Sequence, residues 1–141
     1  MSKGHIHSDL PPPYPLAMVI CDAIWRDPAT GKRFLLGSFS VLHATQFPIL
    51  HASMAVHVAL TNGHGRMPIQ IRLVDDEESR DALWLAEGEV DFPDPRGTVE
   101  IDFMLPPVGF PVAGVYRFQF FAGGQFLMER RIFVEQVASV R

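Results

Sequence analysis

The stretch Gly114-Val-Tyr-Arg-Phe-Gln-Phe-Phe-Ala-Gly-Gly-Gln-Phe-Leu-Met-Glu-Arg-Arg-Ile-Phe-Val134 decides the fold class. Tyr116, Phe118 and Phe120 alternate onto one face, the period of a strand whose successive side chains point to opposite sides. Gly123-Gly124 then interrupts the run and permits a tight reversal. The segment predicts the closing hairpin of an antiparallel β-sandwich. The same period recurs toward the N-terminus. Val99, Ile101, Phe103 and Leu105 face inward from one strand over 98–105. Ile69, Ile71 and Leu73 do so from another, and Met54, Val56, Val58 and Leu60 from a third. Residues 17–25 and 33–42 read as a first hairpin around the turn Asp27-Pro-Ala-Thr-Gly-Lys32, and 82–92 as a further strand. Gly37 predicts a bulge or a close backbone approach within its strand.

Eight short strands with turn signals between them predict an all-β, immunoglobulin-like antiparallel β-sandwich of about eight strands. Residues 43–53 carry no period and read as a connection with room for one helical turn. The domain is expected to span residues 17–137. Residues 1–16, with Pro11-Pro12-Pro13 and Pro15, read as a Pro-rich N-terminal arm, because proline fixes φ and removes a donor.

Composition narrows the function classes. The chain has 141 residues, 48% hydrophobic and 20% charged, which is the make-up of one globular domain. A formal charge of −4 leaves no basic footprint for nucleic acid. One cysteine, Cys21, forms no internal disulfide, so nothing points to an oxidising compartment. The first residues lack the apolar run of a secretory signal, and no apolar stretch is long enough to span a bilayer. The expectation is a cytoplasmic protein that meets neither membrane nor nucleic acid.

Several residue groups invite a chemical reading. His5 and His7 have a chelating spacing but sit on the arm. His43, His51, His57 and His64 would form a zinc or general-base site if they converged, yet no His-Glu-x-x-His pattern supports one. Cys21 lies in an apolar strand, where a thiol is buried and inert. Its neighbour Asp22 must face solvent, pair with a cation, or accept backbone hydrogen bonds. Asn62-Gly-His-Gly-Arg66 lacks the following helix of a phosphate loop. Asp75-Asp-Glu-Glu78 lacks the alternating spacing of a calcium loop. Trp84 could serve as a stacking platform for a sugar, with His57 and His64 as companions. No catalytic residue, cofactor or metal is expected.

Several ordered segments carry a resemblance. These are Ile20-Cys-Asp-Ala-Ile24, Asp27-Pro-Ala-Thr-Gly-Lys32, Leu36-Gly-Ser-Phe39, Gln46-Phe-Pro48, Gly63-His-Gly65, Ile71-Arg-Leu-Val-Asp75, Phe92-Pro-Asp-Pro95 and Gly114-Val-Tyr-Arg-Phe118. In this order they resemble DUF6941, a domain-of-unknown-function family of small bacterial proteins, over roughly residues 17–135. The resemblance implies a compact sandwich of the bacterial cytoplasm and brings no established activity. The Gly-Val-Tyr entry also looks like the tyrosine-bearing strand of immunoglobulin-like domains.

A physical clue to function is apolarity on two faces. The first strand and the last hairpin are apolar on both alternating sides, where a two-layer sandwich needs only one. The surplus must be covered by the arm, by the 43–53 connection, or by a second copy. Trp25, Phe121 and Phe133 are the candidate interface residues. The leading expectation is a non-enzymatic binding or scaffolding module that forms a homodimer and engages a protein partner. The alternative is a sandwich binding a sugar or polar metabolite through His57, His64 or Trp84. A metal-dependent enzyme built on the loop histidines is the weaker alternative.

Overall fold

The computed structural model describes residues 10–140. Among these residues, eleven strands fold into two packed sheets and a small ribbon. In chain order they are β1 (Tyr14–Arg26), β2 (Arg33–Ser38), β3 (Val41–Ala44), β4 (Ile49–His51), β5 (Met54–Thr61), β6 (Gly65–Asp75), β7 (Trp84–Phe92), β8 (Thr98–Leu105), β9 (Val108–Phe110), β10 (Gly114–Ala122) and β11 (Gln125–Gln136). One sheet has the order β2-β1-β5-β8, the other β3-β11-β10-β6-β7, and β4 pairs with β9 alone. The all-β sandwich is as the alternating pattern predicts.

Neighbours β1-β5-β8 and β11-β10-β6-β7 follow the order of strands A-B-E and G-F-C-C′ in immunoglobulin sandwiches. Tyr116 adds a second likeness: its hydroxyl donates to the carbonyl of Val112 at 2.7 Å, pinning the entry to β10 to the chain upstream. The core lies between the sheets. Ile20, Val56, Val58, Leu60, Ile71, Phe118 and Phe120 are each 1% exposed or less.

Three details depart from the sequence expectation. The 33–42 strand breaks at Phe39–Ser40, and its second part, β3, joins the other sheet in parallel with β11. The irregular 43–53 segment holds no helical turn but the short strand β4, whose partner β9 lies in the expected loop after residue 105. These additions raise eight strands to eleven, and β3–β11 makes one pairing parallel. Finally, β1 begins at Tyr14, inside the stretch expected to be an arm, and Pro13 is buried. The β1–β5 ladder shifts register between Pro15 and Ala17, where proline offers no donor.

Candidate functional site

β1 is longer than the strand it packs beside. It pairs with β5 only over Tyr14–Cys21 and with β2 over Cys21–Arg26, so the end of the β1–β2 hairpin overhangs β5. The ladder skips the Asp22–Gly37 step, where Gly37 takes φ 69° and the Asp22 carboxylate fills the space a side chain at 37 would need. That is the close approach Gly37 predicts. Asp22 is otherwise exposed. The root of the hairpin is tied down by Phe39 N–H donating to the Ile20 carbonyl and by the Ser53 hydroxyl donating to the Asp22 carbonyl.

Beyond this root the tip leaves the plane of the sheet. β2 and β8 are its opposite edges, so two intervening strands would set them about 14 Å apart in a flat sheet. Arg33 of β2 nevertheless reaches β8. Its Nε donates to Asp102 Oδ2 at 2.7 Å and its Nη1 to Glu100 Oε2 at 3.0 Å. The tip therefore folds over the outer face of the sheet. Beneath it, Cys21 is 0% and Ala55 1% exposed, although both lie on the side away from the core.

His57 completes the cluster. It faces Asp102 directly across the β5–β8 ladder, with Nδ1 2.9 Å from Asp102 Oδ1 and Nε2 3.4 Å from Glu100 Oε1. A carboxylate only accepts, so Nδ1 carries the proton in this contact. Burial pushes the Asp102 carboxyl up, but the bonds from His57 and Arg33 outweigh it and hold it below the ordinary carboxylate range. Burial pushes the Cys21 thiol up, which leaves it protonated and unreactive as a nucleophile. The thiol and the imidazole both lie buried beneath the hairpin tip.

The structure does not bring the loop histidines together. His43 is half-exposed, 3.4 Å from Glu135, and His51 packs its ring 5.9 Å from Phe39. His64 is exposed in the turn before β6. Trp84 pairs with the far end of β6, so His64 and Trp84 lie at opposite ends of the sandwich. His5 and His7 lie outside the described residues. Among the described residues, no three His, Cys, Asp or Glu side chains converge to hold a metal ion. Trp84 is no open platform either. Its ring packs edge-on against Phe103 and Phe118 and extends the core.

The three candidate interface residues separate as well. Phe121 is 7% exposed, flanked by Phe126 and under the Arg72 guanidinium, so its ring is closed off from a partner. Phe133 is 40% exposed and lies beside Val41 across the parallel β3–β11 pair. Trp25 is 52% exposed and packs 5.2 Å from Phe34 on the hairpin tip, with Leu36 exposed nearby in β2. Sequence reasoning missed Phe34 and Leu36, whose alternation was legible but whose outer face was not. It also missed the Arg33–Asp102 contact, because 69 residues separate the partners.

One cleft is built from polar walls. It encloses about 370 Å³ beside Asp75, Asp76, Ser79, Arg80, Val112 and Tyr116. The Ser79 hydroxyl at 2.6 Å and two backbone N–H groups hold the Asp75 carboxyl below its ordinary range. The Asp75 carboxylate is thus committed to shaping the loop.

The class defined by these features is an all-β sandwich with immunoglobulin strand order and a folded-over first hairpin. A family model described as a family of unknown function, DUF6941, matches residues 16–135, and the chain belongs to that family. No curated protein matches it.

Proposed function

We propose that the protein is a non-enzymatic binding module that self-associates and engages a protein partner. The observation that carries this reading is the exposed apolar group Trp25, Phe34 and Leu36 on the hairpin tip. The three side chains are 52%, 46% and 50% exposed, and β2 is an edge strand of its sheet. An apolar edge strand costs solubility unless something pairs with it or covers it. A second copy is the economical cover, since an antiparallel strand pair is self-complementary about a two-fold axis. Phe133 with Val41 is the secondary contact area. The buried thiol and engaged His57 favour binding over catalysis. A lone buried cysteine and a charge of −4 support a cytoplasmic setting without nucleic acid. The deciding measurement is native mass spectrometry of untagged protein beside its Phe34→Asp variant. A dimer that becomes a monomer supports the reading; an unchanged mass defeats it.

A small polar ligand is the second reading, favoured by the cleft at Asp75–Arg80 and Val112–Tyr116. A retained mass in the same spectrum, lost in an Arg80→Ala variant, would move the function there.

A further inference from the structure

We propose that the cleft beside Tyr116 binds a small zwitterion, an α-amino acid whose carboxylate pairs with Arg80 and whose ammonium pairs with Glu77. The cleft lies where β6 ends and β10 begins, and both residues line it together with Val112, Ala113 and Gly114. Five charged residues fall in the run Asp75–Arg80, and three of them are committed within the chain. Asp75 accepts from the Ser79 hydroxyl and from the N–H groups of Ser79 and Arg80. Asp76 stands 3.3 Å from Arg117, and Glu78 pairs with Arg72 and Arg117. Glu77 and Arg80 are left over. They carry opposite charge, yet among the described residues neither side chain has an ion-pair or hydrogen-bond partner. In a helical turn, side chains at this spacing would meet. Here Glu78, between them, takes φ 52°, a left-handed conformation rare outside glycine, and the bonds to Asp75 fix the loop in that shape.

The rest of the lining suits the same ligand. The Tyr116 side chain is buried and its hydroxyl donates to the Val112 carbonyl, so its remaining capacity is to accept a hydrogen bond. Burial pushes that hydroxyl up, and the Arg80 charge, close enough to be felt there, works against the shift. Val112 is 44% exposed and gives the aliphatic part of a ligand a wall, while Gly114 brings no side chain into the space. A volume of about 370 Å³ is small for a ligand site and suits a compact molecule. A carboxylate alone would meet Glu77 as a like charge in the same cleft, and an amine alone would meet Arg80. A zwitterion satisfies both, with Arg80 offering its donor fork to the carboxylate.

This ligand class rests on the small-ligand reading of the cleft and adds the charge pattern to it. Isotope-labelled protein is titrated with L-alanine, acetate or ethylammonium chloride at one pH and one ionic strength. The amides of Ser79, Ala113 and Gly114 are followed by NMR. L-Alanine should shift them saturably, and each single-charge probe should bind about tenfold more weakly, the loss of one charged hydrogen bond. Arg80→Ala and Glu77→Gln should each weaken L-alanine by a similar factor. Both side chains are exposed and unpartnered among the described residues, so neither replacement removes a contact of the fold. Acetate acting as strongly as L-alanine overturns the zwitterion but leaves a small-ligand cleft standing. No shift with any of the three probes overturns both. Unchanged L-alanine affinity in either variant overturns the proposal, since the charge removed would then hold nothing.

Discussion

The two outer faces of the sandwich handle charge in opposite ways. On the five-stranded sheet, Arg72 and Arg117 spread over Gln119, Glu78, Glu129 and Asp76 in a branched lattice. Each arginine there has several partners, so losing one leaves others in place. On the four-stranded sheet a folded hairpin draws Arg33, His57 and Asp102 largely out of water, with Glu100 at the exposed rim. There each group depends on named partners. The contrast teaches that partner count matters less than what remains when one partner goes. A buried charge left alone costs far more than an exposed one.

The comparison is broken most severely by Asp102→Ala. It takes away the acceptor that Arg33 and His57 share, and urea denaturation should show a loss of about 3 kcal/mol. On the five-stranded sheet, Arg66→Ala removes a contact to Glu89 between side chains 72% and 55% exposed. That loss should stay below about 0.5 kcal/mol, so a larger one would refute the contrast. Between them falls Tyr116→Phe, which deletes the bond to Val112 and should cost about 1 kcal/mol by thermal melting.

Acid sharpens the contrast further. The Asp102 carboxyl is held below its ordinary range in the folded chain, so the unfolded chain binds that proton more readily. Its contribution is whole above the ordinary carboxylate range and is lost as pH falls through the depressed folded value. Denaturation curves between about pH 6 and pH 3 should therefore steepen in the wild type relative to Asp102→Asn. Parallel curves would show that the cluster contributes nothing to acid sensitivity.

Much of the sandwich was legible because period two survives at Met54–Leu60, Ile69–Leu73 and Tyr116–Phe120, where one face is buried by the opposite sheet. The short strands β3, β4 and β9 were not, since three or four residues carry too little alternation to stand out. The apolar surplus of β1 reads from the sequence as needing a cover from the arm, the 43–53 connection or a second copy. That the cover includes the chain's own hairpin was hidden, because it depends on a bend at Asp22–Gly37. The sequence places Gly37 in a strand but says nothing of which way the strand turns. Trp84 and Phe121 were misplaced for a related reason: an aromatic residue in a strand has two faces to choose from, and neighbours on distant strands make the choice.

The parallel pairing of β3 with β11 also governs how the molecule assembles. Val41 finds Phe133 only after almost the whole domain has been made and β10 has already reversed into β11. Contacts so far apart along the chain close late and slowly. During synthesis β3 therefore waits unpaired beside the first hairpin, with Val41 and Leu42 uncovered. The edge of the five-stranded sheet is the last seam to be sewn, and the nascent chain is most prone to sticking in the interval before it closes.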